Sequence, residues 1–407
     1  MIEERRLRPA LGAVVLLIGL AVAVFAVYPH PEWMPDGYAY AVRMLMDAGY
    51  PFQDAIHRAQ EFYWQQPIAA DPVQAQVFRG EQEPLYWDVF KPRLVYPYVA
   101  SLLYPFRGFY GMLDISVVAY VLASLTVYYL ALQFAAALPS LVVTLGFMAF
   151  PMTVHLARYP QTDMLGLLLS TVCILALVRV AHGGGWKWPA VFALSGLLLM
   201  FTRPAFYLLL GGAIGLWIGV RRGEPAARRA SVFCVAAAIL CTSLYLWAAL
   251  ASGTPSFSYV IADAREIFFA TQDPNAPNRS LLAGFKVVLH FTPDDRLAVW
   301  YAKMIVDLTF RELVRSVAWV FPVVGIFGLV MLRRDRAFWA LVLSALALCL
   351  VMPLDPISLD MNRVLEVPML PILAVGVAAA WAAFAQRFIR SNPRFAGETL
   401  KKTSPGG

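Results

Sequence analysis

A polytopic, all-α membrane protein of about ten spans is the fold class this chain predicts, and three observations predict it. Hydrophobic residues fill 60% of its 407 positions and charged ones 14%, with a mean hydropathy of +0.63, far from the balance of a soluble domain. Apolar runs of membrane-crossing length recur from one end of the chain to the other. Ionisable residues gather at the ends of those runs and leave the middles clear, whereas carriers and proton pumps keep charge at the bilayer midplane.

The first run, residues 10–28, follows the basic residues of MIEERRLRP. It is longer than a signal-peptide core and lacks a small-x-small cleavage site, so it predicts an uncleaved first span. Further spans are predicted at residues 112–134, 138–155, 164–180, 188–202, 205–220, 230–250, 316–332, 337–353 and 367–385. Residues 94–106 are apolar but short and bracketed by prolines, which predicts an interfacial or re-entrant segment. No internal repeat is visible. The whole, residues 1–393, reads as one transmembrane domain, with a solvated, disordered tail at 394–407.

Two long connections interrupt the apolar pattern, at 29–93 and 251–315. In the first, Asp36, Tyr40, Arg43 and Asp47 recur at helical spacing while Ala39, Val42 and Met46 face elsewhere, predicting an amphipathic helix that lies along the interface. Gly49 and Pro51 stop it, and a second helical pattern runs over 52–65.

Charge assigns the sides. With the amino terminus inside, the inner segments hold Arg5, Arg6, Arg8, Arg179, Lys187, Arg221, Arg222, Arg228, Arg229, Arg333, Arg334, Arg336, Arg387, Arg390, Arg394, Lys401 and Lys402. Against these stand Glu3, Glu4, Glu224, Asp335 and Glu398. The positive-inside rule then predicts both termini in the cytoplasm and both long connections outside. It also accounts for the net charge of +7 without nucleic acid. Cys173, Cys234, Cys241 and Cys349 lie inside apolar runs, so neither a disulfide nor a metal cluster is expected.

Asp114, His155, Arg158, Asp163, Arg203, Asp355, Asp360, Arg363 and Glu366 fall near outer helix ends, where with the two connections they could ring one outward-facing cavity. This layout resembles the GT-C superfamily of membrane glycosyltransferases, which take a sugar from a polyprenyl-phosphate carrier. The local likenesses are Pro-Asp-Gly-Tyr at 35–38, Pro-Arg-Leu-Val-Tyr-Pro at 92–97, Ala-Arg-Tyr-Pro-Gln-Thr-Asp at 157–163 and Thr-Arg-Pro at 202–204. Families of this group commonly place one or two acids in the first outer loop; here Asp36 has no adjacent second acid. The resemblance implies a polyprenyl-phosphate sugar donor and a glycan, lipid or protein acceptor.

Such a transfer needs a base for the acceptor hydroxyl and fixed positive charge for the departing phosphate. Asp36 is the candidate base. Arg93, Arg158, Arg203 and Arg363 are the phosphate-binding candidates, because a planar fork of donors matches phosphate oxygens. Tyr40, Lys91 and Asp163 are further substrate-binding candidates. Plainer roles compete with these. Asp36 and Asp163 each suit a helix N-cap, Arg93 and Lys91 could snorkel to headgroups, and Arg203, against the positive-inside trend, calls for an anionic partner that a protein carboxylate could equally supply. Composition favours a bacterial plasma membrane. No cofactor is required; a divalent cation shared with the lipid phosphate is compatible with the outer carboxylates, although no dedicated ligand set is present. A lipid-linked saccharide flippase or exporter, or a saccharide polymerase, is the rival reading. Missing repeats and midplane charge weigh against the first and little against the second.

Overall fold

The computed structural model describes residues 2–70, 90–252, 320–351 and 361–391, and among them every regular element is helical. α1 (Ile2–Val22) runs on through a π-helical turn (Ala23–Val27). The first long connection follows with α2 (Pro35–Asp47) and α3 (Phe52–Trp64), and α4 (Val95–Arg107) leads back to the bundle. Then come α5 (Tyr110–Ala131), α6 (Ala137–Ala149), α7 (Pro151–Arg158), α8 (Thr162–Ala181), α9 (Lys187–Thr202), α10 (Phe206–Val220) and α11 (Pro225–Ala251). α12 (Val320–Met331), α13 (Phe338–Val351) and α14 (Met361–Ser391) complete the described chain.

Arg6–Val27, α5, α8 and α11 are each long and apolar enough to cross a bilayer, and α6 with α7 makes a fifth crossing if the bent pair is one span. Shorter apolar helices lie at Lys187–Thr202, Tyr207–Val220, Phe338–Ala347 and Met369–Ala385. The protein is thus a helical membrane protein.

The span expected at 138–155 is not one helix. It breaks at Phe150, with φ −62° and ψ 125°, and α6 and α7 meet at 56°. Pro151 is the cause: its ring excludes the preceding residue from the α-helical region, and its nitrogen has no hydrogen to donate. The bend carries His155 and Arg158 over the end of the bundle instead of along it.

Side-chain bonds fix the direction of the first helices. The Tyr128 hydroxyl donates to the Arg8 carbonyl at 3.1 Å and that of Tyr28 to Asp114 at 2.6 Å, so α1 and α5 run antiparallel. Arg107 grips the same Asp114 carboxylate through two bonds of 2.7 and 3.1 Å. At the end that carries Arg8, Arg179 donates to Gln133 at 3.0 Å and His182 pairs with Asp335 at 3.1 Å. All of α2, α3 and α4 pack beyond the opposite end.

Small residues let two helix pairs close backbone on backbone. Gly325 and Gly328 of α12 meet Gly376 of α14, while Gly211, Gly215 and Gly219 of α10 face the chain from Arg336 to Leu343 that enters α13. A Cβ at Gly325 would lie 2.8 Å from the Leu373 carbonyl oxygen, and one at Gly211 2.5 Å from that of Leu343. In lipid, where apolar side chains gain little by leaving the solvent, such contact is a main source of helix adhesion.

Above the bundle stands a separate core of Trp33, Tyr38, Tyr40, Tyr63, Tyr96 and Met112 with smaller neighbours. Phe62 stacks on Phe109 at 4.2 Å, and Trp33 sets its edge to Phe62 at 4.7 Å. The interfacial reading of α2 changes accordingly: Tyr40 from the expected polar face is as buried as Ala39 and Val42 from the other, because a tyrosine ring is apolar however its hydroxyl is counted. Each large side chain buried in this way contributes about 1.5–3 kcal/mol.

Candidate functional site

Asp36 occupies the first turn of α2, behind Pro35 at the opening of the helix, where carboxylates are favoured by the exposed amides. It is half-buried. Its charge reaches two neighbours, Tyr63 on α3 and Arg93 before α4. Burial raises the Tyr63 phenol well above its ordinary value, and the fields of Asp36 and Tyr38 raise it further. Gly37 makes the approach feasible, since a Cβ there would lie 2.6 Å from the Tyr63 hydroxyl and 3.5 Å from the Pro160 carbonyl. α2, α3 and the turn before α8 therefore converge on one glycine.

Arg93 donates through Nη1 to the Tyr40 hydroxyl at 2.7 Å. That hydroxyl also lies 3.1 Å from Oγ1 of Thr162, the first residue of α8. The guanidinium spreads over Phe90 at 5.1 Å, and Tyr245 on α11 is near enough to interact with its charge. Nε of Arg93 is buried and lacks a hydrogen-bond partner. Burial works against this cation, but Tyr40, Tyr245 and Asp36 outweigh it and hold the pKa above the usual arginine value. Lys91 is exposed beside it.

One residue beyond Thr162, Asp163 is 1% exposed and pairs with Arg203, just past the end of α9. The sequence reading left this arginine waiting for an anion; a protein carboxylate supplies it. Arg158 is likewise matched, by Glu32 at 3.6 Å and by the Ala26 carbonyl, to which its Nε donates at 2.9 Å. His155 Nδ1 lies 3.3 Å from the same Glu32, and its Nε2 meets the Tyr159 hydroxyl. Thus His155, Arg158 and Asp163 do not form one cluster: the first two clasp Glu32, and Asp163 turns to α9.

Asp36, Tyr40, Arg93, Thr162, Asp163 and Arg203 consequently meet around the amino-terminal end of α8. Arg363 lies in α14, but its side chain is outside the described residues, as are the whole of Asp355 and Asp360, the side chain of Glu366, most of the connection at 251–315 and the tail at 394–407. Glu32, Tyr63 and Thr162 were not singled out from sequence. Only Thr162 carried a signal, through its place in the Tyr-Pro-Gln-Thr-Asp run at a helix start. Among the described residues no group of three or more histidines, cysteines and acids could hold a metal ion.

The arrangement joins a carboxylate to an arginine fixed by a phenol, at one end of an apolar bundle. No protein-family model matches the chain, and no curated protein matches its sequence. Among solved structures, the archaeal oligosaccharyltransferase AglB from Archaeoglobus fulgidus, in complex with an inhibitory peptide and a dolichol-phosphate, is similar with a TM-score of 0.51 and 11% identity. That alignment covers 98% of this chain and 52% of the archaeal one. ArnT from Cupriavidus metallidurans, bound to undecaprenyl phosphate, gives a TM-score of 0.48 at 15% identity over 97% of this chain and 62% of its own. The chain thus spans about half the archaeal enzyme and under two thirds of the bacterial one. At 11% identity the likeness to the archaeal oligosaccharyltransferase is one of fold alone.

Proposed function

We propose that this protein is a membrane glycosyltransferase that moves a sugar from a polyprenyl-phosphate carrier to an acceptor hydroxyl, with Asp36 as general base. The observation that carries the reading is the bond from Arg93 to Tyr40, one turn along α2 from Asp36, which holds the guanidinium within the field of the Asp36 carboxylate. Asp36 takes the proton as the acceptor oxygen attacks the anomeric carbon. The bond from that carbon to the phosphate oxygen breaks, and the polyprenyl phosphate leaves with one more negative charge, which Arg93 is placed to stabilise. Lys91 adds exposed positive charge at the same entrance. Arg158 and Arg203 serve the phosphate through the frame they hold, and Arg363 is a further phosphate ligand in this proposal.

Ten crossings, alternating in direction, follow if each of α1, α5, α6 with α7, α8 to α14 traverses the bilayer once. Both termini then face the cytoplasm, and the site opens on the outer face of a bacterial plasma membrane, where a lipid carrier can keep its tail in the bilayer. Residues 1–393 act as a single domain. A divalent cation is not needed for this chemistry; glycans, lipids and proteins all remain acceptors of the right kind.

The test uses protein in lipid nanodiscs with glycosylated undecaprenyl and dolichol phosphates. Asp36→Asn is expected to lower turnover by about 10²–10⁴-fold while donor affinity changes little. Unchanged turnover in the variant would remove Asp36 as the base, and no donor consumption by the wild type would remove the reaction.

A further inference from the structure

Gln161 stands where the turn from α7 enters α8, at the cap position, yet its side chain makes no capping bond. It is 2% exposed, and neither Oε1 nor Nε2 has a hydrogen-bond partner. A buried amide without partners is costly, and proteins keep few of them. Its main chain is fixed: the amide nitrogen donates to the Tyr159 carbonyl at 2.8 Å, and the next residue, Thr162, is held by Tyr40 and through it by Arg93. A second orphan, Nε of Arg93, belongs to the same network.

The two orphans differ in kind. An arginine N–H can only donate, which suits a phosphate oxygen. The Gln161 amide offers both a donor and an acceptor, and a phosphate diester has no hydrogen to give to Oε1. A hydroxyl both donates and accepts, and neighbouring ring hydroxyls of a sugar can satisfy both atoms of one amide. In the donor the sugar is bonded directly to the phosphate, so a group beside the Arg93 network falls within reach of the ring.

Resting on the glycosyltransferase reading, we infer that Gln161 is a specificity-determining residue that hydrogen-bonds the hydroxyls of the donor sugar. The amide bears its desolvation cost in the free protein and recovers it when the sugar binds. A site built in this way rejects a ligand that lacks the matching hydroxyls more strongly than an apolar pocket could.

The inference is tested by measuring affinity for undecaprenyl and dolichol phosphates, each bare and glycosylated, with wild type, Gln161→Met and Gln161→Ala. Gln161→Met is expected to bind the glycosylated lipids about tenfold more weakly and the bare lipids unchanged, while its ligand-free melting temperature rises by about 1–3 °C because the orphan amide is gone. Gln161→Ala should show the same loss for the glycosylated lipids alone. Equal weakening for bare and glycosylated lipids, no weakening for either, or a lower melting temperature of Gln161→Met would overturn the inference. Those results leave the glycosyltransferase reading standing if the wild type consumes donor. Failure of the wild type to bind any of the lipids would overturn both.

Discussion

Arg93 donates to the hydroxyl of Tyr40 at 2.7 Å, and this one bond ties the chain entering α4 to the middle of α2. Through Thr162, 3.1 Å from the same hydroxyl, the tie extends to α8. A cation that is expected to meet phosphate is therefore aimed before the ligand arrives, which lowers the ordering cost of binding.

Tyr40→Phe keeps the ring against Phe90 and Tyr96 and removes only the hydroxyl. It should weaken binding of polyprenyl phosphate by about 3–10-fold, as expected for one lost positioning bond. Arg93→Gln should weaken it by about 10–100-fold, the value of a charge-assisted bond. Titration calorimetry in nanodiscs with bare lipid phosphate measures both. An Arg93→Gln protein binding as well as wild type would place the phosphate elsewhere.

The buried pair of Asp163 and Arg203 predicts a thermodynamic asymmetry. Asp163→Asn or Arg203→Met alone strands a charge away from water and should cost about 3–5 kcal/mol. The double change Asp163→Leu with Arg203→Met should recover most of that loss, because the desolvation of both ions disappears together. Unfolding in mild detergent, followed by tryptophan fluorescence, reads the difference.

Gly37→Ala tests the convergence on α2. The new methyl would meet the Tyr63 hydroxyl at 2.6 Å, and Tyr63 sits in a filled aromatic core that cannot easily yield. A destabilisation of about 1–3 kcal/mol is expected, together with loss of turnover, since Asp36 is the next residue in the helix. Double substitution with Tyr63→Phe should restore stability in part by shortening the ring.

Alkaline pH acts on the same core. Tyr38 is pushed up to about 12 by burial, which outweighs the opposing bond from Gln60, and Tyr63 is raised well above its ordinary value of 10. Raised folded-state values favour the neutral phenols, so their stabilisation is complete below pH 10 and is lost as pH climbs toward 12. Each phenol contributes a slope of about 1.4 kcal/mol per pH unit across that window. Melting temperatures from pH 9 to 11.5 should fall, and Tyr63→Phe should make the fall shallower; an identical profile in the variant would contradict the assignment.

Much of the bundle was legible because a bilayer imposes length and polarity on anything that crosses it. α8, α9 and α10 begin and end within two residues of the expected runs. The break at Pro151 escaped because average hydropathy cannot register a missing amide hydrogen. Tyr40 was placed on a wet face by counting its hydroxyl and not its ring. Asp36, Arg93 and Arg203 could be chosen from residue type and position, yet their partners could not: Asp163 and Arg203 are separated by two helices in sequence, and Glu32 takes Arg158 only because Pro151 bends α7 across the bundle end. Gln161 lay inside the quoted run at 157–163, but its orphaned amide could not be read there, since an unsatisfied amide exists only once its surroundings are built.

The glycine contacts of α10 with α13 and of α12 with α14 have a consequence for how this chain tolerates change. Where backbone meets backbone, even alanine is oversized, whereas the lipid-facing flank of α11, with Ile239, Leu240 and Trp247 exposed, accepts almost any greasy side chain. A complete substitution scan of expression level would therefore show narrow, periodic stripes of intolerance at Gly211, Gly215, Gly219, Gly325, Gly328 and Gly376. Drift in this chain would be limited as much by the gaps it must leave empty as by the groups it must retain.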